Sequence, residues 1–253
     1  MGLDRFNKVG IQRELRMEWL DQAVRIHAVG YKKSIARQEI YEYLDTAPGF
    51  DVPPSSQTKT YIANALIKTW ISPDVELISL RDMAFNLIQN NGSLRFPLHW
   101  CLMGAAYPFW FALAGVVGRL LNLQEQVSQA QIVARLKEKW GDRQTVSRRA
   151  RYVIRSFVAW GALKDATIKG CYEKKDSILI DDADLAVLML KSALHAIPDG
   201  KGSLGIILNN PAFFPFHLPV MTGDFISQRC NQIEVVRYGL DDELLKLTIT
   251  KDG

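Results

Sequence analysis

Only three of the 253 residues are cysteine, Cys101, Cys171 and Cys230, and they lie dozens of positions apart. An odd, scattered set builds neither a disulfide framework nor a zinc motif, and it fits a reducing, cytoplasmic compartment. Histidine is equally sparse. His27, His99, His195 and His217 never fall at metal-ligand spacing with one another or with cysteine, so no metal and no other cofactor is expected. His99, set in an apolar run, reads as a hydrogen-bonded core histidine. The chain has no G-x-x-x-x-G-K-[ST] and no G-x-S-x-G, and "DGKGS" at 199–203 lacks the glycine spacing of a phosphate loop. The opening "MGLDRFNKVG" has no apolar run of a secretory signal. Phe6 stands where a myristoylation motif after Gly2 needs Ser or Thr.

Acidic clusters are few. "DDAD" (Asp181, Asp182, Asp184) and "DDE" (Asp241, Asp242, Glu243) are the two that would suit Mg²⁺ in a nuclease. Both are read as helix openings, where acids stabilise the N-terminal dipole without further purpose. A non-enzyme is therefore expected, with a Mg²⁺-dependent nuclease as the alternative.

A long run without charge occurs at 96–118, "FPLHWCLMGAAYPFWFALAGVVG", 23 residues in all. Its length permits a membrane span. Pro97 and Pro108 divide it, however, and two consecutive buried helices are expected, with Pro108 at the first position of the second. No membrane partner is expected. Between the prolines of "NNPAFFPFHLP" (209–219), Phe213, Phe214 and Phe216 fit no regular helix or central strand. They are expected to pack over the core as an arm, with a docking surface for a partner or a second copy as the alternative.

What is present is an ordinary globular composition, 48% hydrophobic and 23% charged, with a net charge of +4. The charge is uneven. Residues 126–175 hold 12 Lys/Arg against 4 Asp/Glu, while the remainder holds 19 against 23. A basic segment in an otherwise slightly acidic chain points to a localised anionic partner.

Up to about residue 160 the chain reads as helices. "IQRELRMEWLDQAVRIHAVG" spaces Ile11, Leu15, Trp19, Ala23 and Ile26 helically and closes at Gly30. "SIARQEIYEYL" follows with Ser34 as its cap. Then come "QTKTYIANALIKTWI", "DVELISLRDMAFNLIQNNG" and the apolar pair. After Gly161 short strands appear, with a charged turn at 173–176, a helix in "DADLAVLMLKSALHAI", and strands in "QIEVVRYG" and "LKLTIT".

The most specific stretch is "TVSRRARYVIRSFVAWGAL", 145–163. On a helical wheel Arg148, Arg151, Arg155 and Tyr152 share an arc of about 100°, and Val146, Ala150, Val153 and Phe157 lie opposite. No acid stands three or four residues from any of these arginines along that face. Thr145 is expected as N-cap and Gly161 as C-terminal stop. Upstream, "SQAQIVARLKEKW" is a helix capped by Ser128, and Gly141 makes the turn. Downstream, a hairpin carries Lys164, Lys169, Lys174 and Lys175.

Helix, tight turn, basic helix and basic hairpin resemble the winged helix-turn-helix superfamily of DNA-binding modules over about residues 126–181. "SQAQIVARL" matches the first helix of the motif, "TVSRRARYVIRSFVAWGAL" the recognition helix, and the lysine-bearing hairpin the wing. The resemblance implies double-stranded DNA as partner, with the second helix in the major groove and the wing on the backbone. The contacts it implies are Gln144, Ser147, Arg148 and Arg151 toward bases, with Tyr152 and Arg155 on the same face. Arg143 and Arg149 would touch the backbone near the helix start, and Lys169, Lys174 and Lys175 would do so on the wing. At the level of organisation, the chain is also similar to small DNA-binding proteins of BREX-type phage-defence operons.

The expected fold is mainly α. A helical N-terminal bundle (1–124) precedes a winged helix-turn-helix (125–181) and a small mixed α/β C-terminal region (182–253). The expected function is non-catalytic DNA binding, as a regulator or DNA-tethering subunit of a defence system. The alternative is a scaffold subunit whose winged helix and Phe/Pro arm contact protein or a second copy.

Overall fold

The computed structural model describes residues 4–238 and 242–248. Helices come first: α1 (Asp4–Asn7), α2 (Met17–Val29), α3 (Lys33–Leu44), α4 (Ser56–Leu66) with a π turn at Ile67–Ile71, α5 (Ile78–Asn90), α6 (Arg95–Ala106) and α7 (Pro108–Leu121). A strand β1 (Gln126–Ser128) leads into α8 (Gln129–Trp140), α9 (Gln144–Ala159) and the hairpin β2 (Leu163–Asp165) and β3 (Cys171–Lys174). The remainder is β4 (Ile178–Leu179), α10 (Ala183–His195), β5 (Lys201–Ser203), α11 (Leu204–Leu208), β6 (Phe216–His217), α12 (Gly223–Arg229), β7 (Ile233–Tyr238) and β8 (Asp242–Leu247). The protein is mainly helical with small sheets. Its buried apolar residues form one cluster that runs from Ile11 to Leu245.

The charge-free stretch forms the centre of that cluster. α6 and α7 are almost wholly buried and bend by 117° at Tyr107, with Pro108 at the first turn of α7. Among the described residues no single helix is long and apolar enough to cross a membrane. Trp100 on α6 meets Phe157 of α9 at 4.6 Å between ring centroids, and also Trp110, Phe214 and Phe216. His99 is fully buried. Its Nδ1 accepts from Trp70 Nε1 at 3.1 Å and its Nε2 donates to Asp21 Oδ1 at 2.9 Å, so the ring is neutral and each nitrogen is satisfied. Burial pushes the His99 pKa down.

The Phe/Pro arm closes over this centre. Phe213, Phe214 and Phe216 are buried, and Trp100 Nε1 donates to the Ala212 carbonyl at 3.1 Å. Gly118 on α7 permits the approach, because a Cβ there would stand 2.0 Å from the Pro211 oxygen. A docking surface made of these phenylalanines is thereby corrected, since their rings fill the interior. The exposed apolar residue near the arm's end is Val220, at 96%.

Several local expectations are corrected. Residues 11–16 are not helical and α2 begins at Met17. Ile11 and Leu15 are still buried, but the Leu15 N–H donates to Ser156 Oγ at 2.8 Å and its carbonyl accepts from Trp160 Nε1 at 2.9 Å. α9 thus supplies the backbone partners that a helix would have supplied. Ser34 and Thr145 each lie inside a first turn, the helices starting one residue earlier at Lys33 and Gln144. Ser128 does cap α8, in a reciprocal box with Gln131.

"DDAD" opens α10, with Asp182 capping the Leu185 N–H at 2.9 Å. "DDE" opens no helix. Glu243 lies in β8 and accepts from the Gly223 N–H, while Asp241 and the Asp242 side chain fall outside the described residues. The end of "LKLTIT" falls there too.

Candidate nucleic-acid interface and an adjoining arginine cleft

The basic segment folds as a strand, two helices and a hairpin, and its sheet has the antiparallel order β1-β3-β2. Val127 and Asp165 flank Tyr172 from either side. Gly141, at φ +79°, opens the three-residue turn between α8 and α9. Val146, Ala150, Val153, Ile154 and Phe157 face the core, so the helical wheel sets α9 in its correct rotation.

The arginines do not share one environment. Arg143 turns back and donates to the Trp140 carbonyl at 2.9 and 3.2 Å, holding the C-terminus of α8. Gln144 and Arg148 are exposed and Ser147 is half-buried. Arg148 and Arg151 make no hydrogen bond or ion pair among the described residues. Arg149 is half-buried with its Nε enclosed and without a hydrogen-bond partner. Burial, and then the charge of Arg148, lower its pKa. Arg155 donates to both carboxylate oxygens of Asp165 on β2, at 2.7 and 3.0 Å, and this raises its pKa. The neutralising acid is ten residues away in sequence, which the search at helical spacing could not reach.

The hairpin lysines divide as well. The turn lies at 166–170, not 173–176, because Leu163 pairs with Lys174 and Asp165 with Tyr172. Lys169 is therefore the tip residue. Lys174 and Lys175 sit at the open end beside Gly161 and Lys164, around a shallow depression. That is the C-terminal end of α9, about 16 Å along the helix from Arg148. Lys164 pairs with Glu173 at 2.7 Å.

Two arginines that the reading of the basic segment missed complete the picture. Arg13 and Arg16, from the non-helical segment before α2, stand across from the middle of α9. With Glu14, Arg151, Tyr152 and Arg155 they line a cleft of about 220 Å³. Arg13 donates to Tyr152 Oη at 3.2 Å and to Thr58 Oγ1 at 3.4 Å, and its guanidinium lies over the rings of Tyr61 and Tyr152. Arg16 lies flat on Gly49, whose φ of +99° and lack of a Cβ leave the space. The signal available in the sequence was polar residues on the core side of α9. The indole N–H of Trp160 needed an acceptor, which the Leu15 carbonyl supplies, and Ser156, whose hydroxyl donates to the Tyr152 carbonyl of its own helix, accepts from the Leu15 N–H.

Among the described residues no three His, Cys, Asp or Glu side chains come together as a metal site. No family model, curated protein or solved structure gives a significant match to the chain.

Proposed function

We propose that the protein is a non-catalytic double-stranded DNA-binding protein in which α8, α9 and the β2–β3 hairpin act as a winged helix-turn-helix. The observation that carries this reading is the cationic face of α9, where Arg148 and Arg151 are exposed and form no ion pair among the described residues. Support also comes from the order strand, helix, helix, hairpin around it. In this reading Gln144, Ser147 and Arg148 address base edges, since they occupy the outward N-terminal half of the second helix. Lys169 in the hairpin turn meets the phosphate backbone, as do Arg143 and Arg149 at the start of α9. A cytoplasmic place, as a regulator or tethering subunit of a phage-defence complex, belongs to the same proposal and draws on the three free thiols.

The test is fluorescence anisotropy with a labelled random duplex at two salt concentrations. Micromolar binding that weakens steeply with salt is the expected result. Arg148→Ala combined with Arg151→Ala lowers both affinity and salt slope. A double variant that binds like the parent protein overturns the assignment of α9.

A further inference from the structure

The cleft beside Arg13 and Arg16 does not fit a duplex. A 220 Å³ recess, bounded by residues 13–16 on one side and α9 on the other, is far smaller than a double helix. Its chemistry is nonetheless that of an anion site. Four arginines line it, Arg13, Arg16, Arg151 and Arg155, against the single carboxylate of Glu14. Arg155 is already held by Asp165, but Arg16 and Arg151 have no hydrogen-bonding partner among the described residues. Arg13 already donates from Nε, Nη1 and Nη2 to Thr58, Tyr152 and the Gln12 carbonyl, so it lends the cleft a fixed positive charge and not a free fork. Close by, the enclosed Nε of Arg149 is without an acceptor.

The lining also holds apolar side chains. Phe50 is half-buried in the lining and stacks on Trp19 at 5.0 Å between centroids with an interplanar angle of 10°, and Ile62 lies in the same lining. Guanidinium groups from both flanks of the cleft, with an aromatic ring in the same lining, suit a ligand that carries both a phosphate and a flat ring. We infer that this cleft binds a nucleoside monophosphate, with its phosphate on Arg16 and Arg151 beside the fixed charge of Arg13 and its base against Phe50. The inference shares Arg151 with the proposed duplex face and is otherwise independent of it.

Isothermal titration calorimetry on the full chain tests it, with AMP, ribose 5-phosphate, inorganic phosphate and adenosine as probes. AMP is expected to bind at least tenfold more tightly than inorganic phosphate and than adenosine, with ribose 5-phosphate between. Arg16→Ala, which removes no hydrogen bond of the fold, is expected to weaken AMP at least tenfold while leaving the thermal melt and duplex affinity unchanged. Arg16→Lys retains the charge without the fork and falls between the two.

A nucleoside phosphate reaches the cleft either free or as the 5′-phosphorylated end of a strand. A 5′-phosphorylated trinucleotide that binds more tightly than AMP assigns the site to strand ends, and one that binds equally or less tightly assigns it to the free nucleotide. AMP binding no tighter than inorganic phosphate overturns the proposal. So does AMP binding that survives Arg16→Ala, or no AMP binding at millimolar concentration. Loss of duplex binding with AMP binding intact removes the winged-helix reading alone.

Discussion

Arg148 and Arg155 stand two turns apart on one face of α9, in opposite settings. Arg148 is exposed and forms no ion pair among the described residues, whereas Arg155 is half-buried, tied to Asp165, and set in the wall of a cleft. Arg151, between them, is exposed and also lines the cleft. The same side chain on the same helix face therefore offers two kinds of anion contact. In the readings proposed above, the outer half would meet a groove of DNA and the inner half a small phosphorylated group. What separates them is the segment 11–16, held against α9 by the two backbone hydrogen bonds of Leu15.

The largest effect expected is on the open end. Replacing Arg148 and Arg151 with alanine together should cost about 1–3 kcal/mol of duplex binding for each base-contacting arginine, measured by anisotropy at fixed salt. An equal loss from Arg155→Ala alone would erase the distinction between the two ends.

Next comes the strut that builds the cleft. Ser156→Ala leaves the buried Leu15 N–H without an acceptor, a loss of about 1–3 kcal/mol in urea denaturation. The same variant should weaken AMP and spare the duplex. If duplex binding falls with it, the outer half of α9 depends on the N-terminal segment after all.

Acid separates folding from both contacts. Burial, and then the neighbouring charge of Lys191, bring His195 from 6.5 to about 3 in the folded protein. Between those values the unfolded chain binds the extra proton, so stability is full above pH 6.5 and declines as pH falls. His99 and His27 shift in the same direction, each mainly by burial. Denaturation at pH 7.5 and 5.5 should differ by about 1.4 kcal/mol from His195 alone. Duplex affinity should stay level at temperatures where the protein remains folded, because arginine keeps its charge throughout. A stability that rises on acidification contradicts the buried neutral imidazoles.

The smallest effect belongs to the Arg155–Asp165 pair. Asp165→Asn breaks a largely exposed bridge and should change stability by less than about 1 kcal/mol. Freed from its acid, Arg155 should tighten AMP binding, which the same calorimetry reads. Unchanged AMP affinity would mean that Arg155 faces the cleft without serving it.

Much of this arrangement was legible along the chain because it obeys local rules. The amphipathic rotation of α9, the break at Pro108, the Ser128 cap, and the left-handed glycines Gly30, Gly141 and Gly161 all depend on residues a few positions apart. The burial of Ile11 and Leu15 was legible too, but not their conformation. A period of four residues is satisfied equally by a helix and by a non-helical segment whose backbone finds its partners elsewhere. The lysines of the hairpin were misplaced for a related reason. Charge is densest at 173–176, whereas the pairing of Leu163 with Lys174 puts the turn at 166–170.

By itself, then, the sequence determined the main helices, their apolar faces and the concentration of positive charge in 126–175, because each follows from side-chain chemistry at short range. The tertiary structure alone decided which of those charges are free. Arg155 finds Asp165 across a turn, Arg13 finds Tyr152 from 139 residues away, and Arg143 bonds to a carbonyl of the preceding helix. Availability of a charge is set by distance in space, and packing of the core brings together segments that periodicity along the chain does not relate.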